Sequence, residues 1–231
     1  MLSGHGLKYL KGKDRNKDLE CLSIKQDHAL KILSKLKEKY PDAKTSLKYN
    51  SLFELTVAVV LSAQSTDNQV NTVTEKLFQD YNAPEKIAAM DTAELEKLIY
   101  GVGLYRTKAR NIKKLAQYLI ENFRGSIPDE FAELLKLPGV GRKSANVILA
   151  VGFNKPGLGV DTHVHRVVNR IGLVSAKNPE KTEQALKELI PEELWGEAHH
   201  IFIAHGRQIC TARKPDCQEC IINEECRKIL N

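Results

Sequence analysis

The sequence predicts an all-α protein built as two helical lobes. Three observations carry that expectation. Apolar residues recur at helical spacing from Ala29 almost to the end of the 231-residue chain. The helical runs end at stops such as Tyr40-Pro41, Ala83-Pro84, Gly101-Val102-Gly103, Ile127-Pro128 and Asn178-Pro179. No hairpin turn joins two segments of strand character. A chain of this length with 42% hydrophobic residues can bury one large core or two smaller ones.

Taken in order, residues 1–22 carry Lys8, Lys11, Lys13, Arg15 and Lys17 among polar residues, and read as a poorly ordered basic tail rather than a DNA-binding arm. A helix follows, with Ala29, Leu30, Ile32, Leu33 and Leu36 on one face. The run LTVAVVLSA (55–63) is rich in β-branched valine. It lacks a flanking hairpin turn and a second strand of matching character, so it is expected to be a buried helix. Residues 152–159, GFNKPGLG, look like a crossing between the two lobes. A faint internal echo relates GVGLYRTKARNI (101–112) to GVGRKSANVI (139–148), each placing a glycine turn before a helix.

No apolar run is long enough to span a bilayer, and the first 22 residues lack the apolar centre of a signal peptide. A cytoplasmic protein with no membrane partner is expected. A net charge of +6 and a pI of about 9.0 favour a polyanionic partner without identifying one. Of the five cysteines, Cys21 stands alone and Cys210, Cys217, Cys220 and Cys226 crowd the C-terminus. A disulfide framework belongs to small secreted chains, so metal ligation is the better reading.

LPGVGRKSAN (137–146) sets two glycines between helices, where backbone N–H groups can approach a phosphate and the helix dipole adds positive potential. A tight helical corner with no ligand is the alternative for so short a turn. The full string, Leu137, Gly139, Val140, Gly141 and Arg142 at the head of an apolar helix, resembles the helix–hairpin–helix element, which holds a duplex by its backbone. Lys143 falls in the first helical turn. Surface lysines are ordinarily solvated cations, but the dipole and a covered cleft both favour the neutral, nucleophilic amine.

In GVDTHVHRVVNRIGL (159–173), Asp161 precedes a helix and suits an N-cap, typically worth ~1 kcal/mol. A carboxylate so held can also stabilise positive charge in a transition state. It would raise the pKa of a nearby lysine, against the dipole. His163 and His165 point to different helix faces and make a poor metal pair, and His199, His200 and His205 form no better cluster. His163 remains a candidate DNA contact. The C-terminal spacing C-x6-C-x2-C-x5-C has one C-x2-C knuckle where structural zinc usually takes two, and suits a [4Fe–4S] cluster. Arg213 and Lys214, between the first two cysteines, would be displayed on a metal-pinned loop that loses little entropy on meeting a phosphate.

Together these motifs resemble the endonuclease III family of bifunctional base-excision DNA glycosylases. The resemblance runs from about Ile24 to Cys226 and includes LSAQSTD (61–67) and GVGLYRTKA (101–109). It implies a six-helix domain over 45–155 with the helix–hairpin–helix at about 130–152, and an iron–sulfur domain from 23–44 plus 156–231. DNA would bind in a cleft between them. By position, Lys143 matches the catalytic lysine, Asp161 the catalytic aspartate, and Gln64 and Leu104 residues that enter the duplex beside the flipped nucleotide. The implied protein is a monomer acting on double-stranded DNA with damaged bases, expected to be oxidised pyrimidines, or abasic sites, which it cuts on the 3′ side by β-elimination. An adenine-specific mismatch glycosylase shares fold and cluster. That family usually lacks the lysine and carries a further C-terminal domain, whereas this chain stops five residues after Cys226. A non-catalytic DNA-binding module with structural zinc is the rival from another class.

Overall fold

The computed structural model describes residues 14–230, and among them every regular element is helical, as the sequence predicts. Two compact units are present. Of the described residues, one unit holds those up to Ala43, Thr162–Pro191 and those from Ile201. The other holds Lys44–Asp161 and Glu192–His200.

The second unit is built around α2 (Leu52–Leu61), which takes in most of the valine-rich run expected to be a buried helix. Phe53 through Leu61 are all buried, so tertiary burial on every side overrides the strand propensity of its valines. Ser51 starts it by accepting from the Glu54 amide at 3.1 Å, a cap worth about 1 kcal/mol. Helix α3 (Asp67–Asp80) opens on a reciprocal capping box between Thr66 and Gln69. Helix α4 (Pro84–Ala89) begins at its proline, and α5 (Thr92–Leu98) is capped by Asp91. Helix α6 (Tyr105–Phe123) lays Ala109, Ile112, Leu115, Ala116 and Leu119 against the core. Helices α7 (Phe131–Leu134) and α8 (Arg142–Val147) form the glycine hairpin, and α8 runs on as a π-helical turn over Ile148–Gly152.

In the first unit, α1 (Asp14–Lys39) starts within the segment expected to be a tail. Residues 14–22 are helical, because no glycine or proline interrupts the chain from Asp14 to Lys39. Residues 1–13 of that expected tail lie outside the described residues. Helix α9 (Thr162–Ile171) buries Val164, Val167, Val168 and Ile171. Helix α10 (Pro179–Leu189), capped by Asn178, packs between α9 and α1. Glu225 joins α1 to the cysteine loop through Lys35 at 2.7 Å and Lys31 at 3.1 Å. Those two ammonium groups hold its carboxyl down at about 2.

The division between the units falls after Asp161, and Glu192–His200 goes with residues 44–161. Helix α11 (Trp195–Gln208) therefore starts in one unit and ends in the other. Its first half is claimed by His199, which bonds the Gly159 carbonyl.

Candidate functional site

Helices α7 and α8 meet at a turn that needs Gly139. Its φ is +86°, and a Cβ there would lie 3.1 Å from both Val60 Cγ1 and Asn111 Cβ. The Arg142 guanidinium stacks on the Phe131 ring at 5.1 Å, joining the two helices by a cation–π contact. Leu137 and Val140 point into the core, and their amides bond the Leu134 and Leu137 carbonyls, so both shape the turn from within. Gly141 is different: a Cβ added to it would meet nothing within 4 Å. The space it leaves is open to an incoming group. Lys143 lies half-buried in the first turn of α8.

The same helix controls where Asp161 sits. Asn146, one turn beyond Lys143, is 1% exposed. Its Nδ2 donates to the Arg142 carbonyl at 3.0 Å, and its Oδ1 accepts from the Leu158 amide at 3.2 Å. One carboxamide thus ties the turn that carries the lysine to the extended segment that ends at Asp161. The approach is close enough that a Cβ on Gly157 would run into the Asn146 carbonyl. His199 grips the Gly159 carbonyl from the other side. Its neighbour His200 is held below the ordinary histidine range, first by burial and then by the charge of Lys143. A neutral imidazole beside the amine adds no competing positive charge near pH 7. Asn146→Ala leaves the buried Leu158 amide without this acceptor and is expected to lower the unfolding free energy by about 1–3 kcal/mol in urea titrations. No loss of stability would mean the carboxamide holds nothing together.

Gln64 and Leu104 occupy left-handed backbone, with φ of 54° and 57°. For L-residues this region costs roughly 1–2 kcal/mol. Leu104 is also 59% exposed. A lone exposed leucine is ordinary, but one held exposed on strained backbone points to a task outside the fold. Lys143, Asp161, the glycine hairpin, Gln64 and Leu104 are thus all brought into one unit.

The remaining candidates lie in the other unit. Cys210, Cys217, Cys220 and Cys226 line one cavity, part of it open to solvent. Burial pushes the Cys220 and Cys226 thiols up, and the neighbouring cysteines push them further. Four thiolates so placed need cationic partners. Donors also face the sulfurs: the Lys228 amide reaches Cys226 Sγ at 3.3 Å, and Arg170 Nη1 reaches Cys210 Sγ at 3.9 Å. His205 Nε2 lies 3.7 Å from Cys220 Sγ, and its Nδ1 is 3.2 Å from the Tyr40 hydroxyl. Burial holds His205 neutral, at about 4, and keeps the Tyr40 phenol protonated, at about 12. Soft ligands in one cavity with N–H donors around them suit an iron–sulfur cluster. Arg213 and Lys214 are exposed on the loop above, which Arg170 pins through the Thr211 and Ala212 carbonyls at 2.7 and 2.8 Å. His163 faces Arg166 Nη2 at 3.3 Å, and Arg166 in turn donates to the Gly206 and Cys210 carbonyls. His165 turns away from it to Thr182, which separates the two histidines as expected.

Asn146 had no assigned role in the sequence, and His199 and His200 figured there only as histidines that form no metal cluster. Only Asn146 carried a local signal, an amide three residues past a lysine on an otherwise apolar helix.

Comparison with known proteins bears on this geometry. Residues 57–192 match the model of the HhH-GPD superfamily base excision DNA repair protein, and residues 210–226 match the iron-sulfur binding domain of endonuclease III. Endonuclease III of Rickettsia conorii is 48% identical over 201 residues, covering 87% of this chain and 96% of that protein. A solved structure of a trapped endonuclease III–DNA covalent intermediate superposes with a TM-score of 0.85 at 43% identity, covering 88% of this chain and 96% of that one. A non-covalent endonuclease III–DNA complex gives 0.84 at 43% identity, covering 88% and 95%. Among the described residues no helix is long and apolar enough to cross a membrane. The chain therefore belongs to the endonuclease III family of helix–hairpin–helix base-excision repair proteins, DNA glycosylases with AP lyase activity that act on DNA and carry a [4Fe–4S] cluster.

Proposed function

We propose that this chain excises oxidised pyrimidines from duplex DNA and cuts the strand 3′ to the resulting abasic site, with Lys143 as nucleophile and Asp161 as its electrostatic partner. The observation that carries this reading is the Asn146 carboxamide, which couples the turn bearing Lys143 to the segment ending at Asp161.

A damaged base is flipped out at less cost than a sound one, because its stacking and pairing are already weakened. In its deprotonated form Lys143 Nζ bonds to the sugar C1′ as the C1′–N bond breaks and the base leaves with that electron pair. The Asp161 carboxylate stabilises the positive charge that develops on the sugar. Ring opening gives a protonated Schiff base, which acidifies the C2′ proton. Loss of that proton expels the 3′ phosphate, and the strand is cut. Gln64 and Leu104 fill the gap in the duplex, while Gly139, Gly141, Arg142, His163, Arg213 and Lys214 hold its backbone. The relative captured as a covalent intermediate with DNA supports an adduct of this kind. The four cysteines would hold the cluster, whose contribution in this reading is to pin the Arg213–Lys214 loop. Such a monomer works in the cytoplasm, wherever the chromosome is accessible.

A panel of duplexes, each with one defined lesion, tests the reading. Oxidised thymine or cytosine should be removed and the strand cut in the same incubation. Excision of only undamaged adenine from mismatches, without strand cutting, would assign the chain to the mismatch-glycosylase class instead.

A further inference from the structure

Lys108 is the one cation in the unit of residues 44–161 that the chemistry above does not use and that the fold nonetheless buries, at 4% exposure among the described residues. Burying an ammonium is costly unless acceptors are arranged for it. Here they are. Nζ donates to the Leu61 carbonyl at 2.7 Å, at the end of α2, and to Ser65 Oγ at 2.9 Å. Ser65 Oγ also accepts from the Gly103 amide at 3.0 Å. The two loops touch directly as well, since a Cβ on Gly103 would lie 3.0 Å from the Gln64 carbonyl oxygen.

These bonds bracket the two left-handed residues. Gln64 lies between Leu61 and Ser65, and Leu104 lies between Gly103 and Lys108, whose own amide bonds the Leu104 carbonyl at 3.0 Å. Two exposed side chains on strained backbone are thereby locked to one another through a single buried amine. Left to itself, either loop would relax toward ordinary backbone and the tips would scatter.

We propose that Lys108 is a positioning residue that, through Ser65, clips the Gln64 and Leu104 loops into one preformed wedge before DNA arrives. The inference rests on the reading of Gln64 and Leu104 as the residues that enter the duplex. A preformed wedge matters where a base pair must still be broken and its stack replaced. It matters little at an abasic site, where no base remains to be expelled.

The test compares single-turnover excision of a paired oxidised pyrimidine with strand cleavage at a pre-formed abasic site, in full-length protein, with thermal unfolding measured alongside. Lys108→Met keeps the apolar stem and removes the donors. It should slow excision at least tenfold and abasic cleavage less than threefold. Ser65→Ala should act in the same direction, and the double variant should be no worse than Lys108→Met, as members of one linkage are not additive. Placing the lesion opposite a mismatched base, where opening is easy, should restore much of the loss. Ser65→Ala, at a half-buried site, keeps the question open to answer if Lys108→Met folds poorly. Equal losses on both substrates, or full additivity, would overturn the clip. Leu104→Ala run in parallel separates the two readings. If it is selective for the paired lesion and the clip variants are not, the wedge stands and the clip falls. If Leu104→Ala shows no selectivity, the wedge reading itself fails.

Discussion

Lys143→Gln is expected to abolish both strand cleavage and borohydride trapping of a covalent protein–DNA complex, while duplex binding survives. Glutamine keeps similar length and polarity in the first turn of α8 but has no lone pair able to form an imine. Loss of cleavage should exceed about a thousandfold, some 4 kcal/mol of barrier. The partner variant sharpens the result. Asp161→Asn leaves the amine in place, so a pre-formed abasic site should still be trapped. Base removal, which passes through the positive sugar, should fall by about a hundredfold to a thousandfold, the scale of losing one preorganised electrostatic contact. A folding defect would depress binding, trapping and excision together, and is thereby separated from either chemical loss. Full trapping with Lys143→Gln would move the nucleophile elsewhere. The hairpin would then be a phosphate-binding turn with an ordinary cation.

Loss of one cluster ligand should do comparable damage by a different route. Native protein prepared without air is expected to be brown and to contain about four irons and four sulfides per chain. Cys220→Ala removes a sulfur that faces His205 inside the shared cavity. The variant should be colourless, and the loop bearing Arg213 and Lys214 should lose its anchor. Duplex affinity should then drop at least tenfold with a shallower salt dependence, because phosphate contacts made by fixed charges are lost. Base-flipping chemistry in the other unit is not directly touched, so saturating protein should recover part of the cleavage. Stoichiometric zinc in place of iron would replace the cluster with a structural metal site. Unchanged affinity in colourless Cys220→Ala would separate the loop from the metal altogether.

The helical class was legible because it rests on local signals. Pro84 and Pro179 stand at the first positions of their helices, and glycine turns sit before α6 and α8. The cysteine spacing was legible for the same reason, being short-range chemistry. What could not be read depended on partners far away in the chain. Lys108 looks like any surface lysine until Leu61, 47 residues earlier, is brought to its Nζ. His199 looks like a surface residue until the Gly159 carbonyl, 40 residues away, meets its ring. The start of α1 was missed because a basic, polar stretch satisfies tail and helix statistics equally well.

Gly157 carries no side chain and takes no part in any bond change, yet any missense change there adds a Cβ where the Asn146 carbonyl already stands. Every replacement must push the lysine's helix away from the segment that presents Asp161. A saturation library would therefore score this glycine among the inactivating positions, alongside residues that touch the sugar. The target that random mutation can hit is wider than the chemistry it disables. A map of loss-of-function alleles in this gene should spread from the reacting groups along the backbone that spaces them.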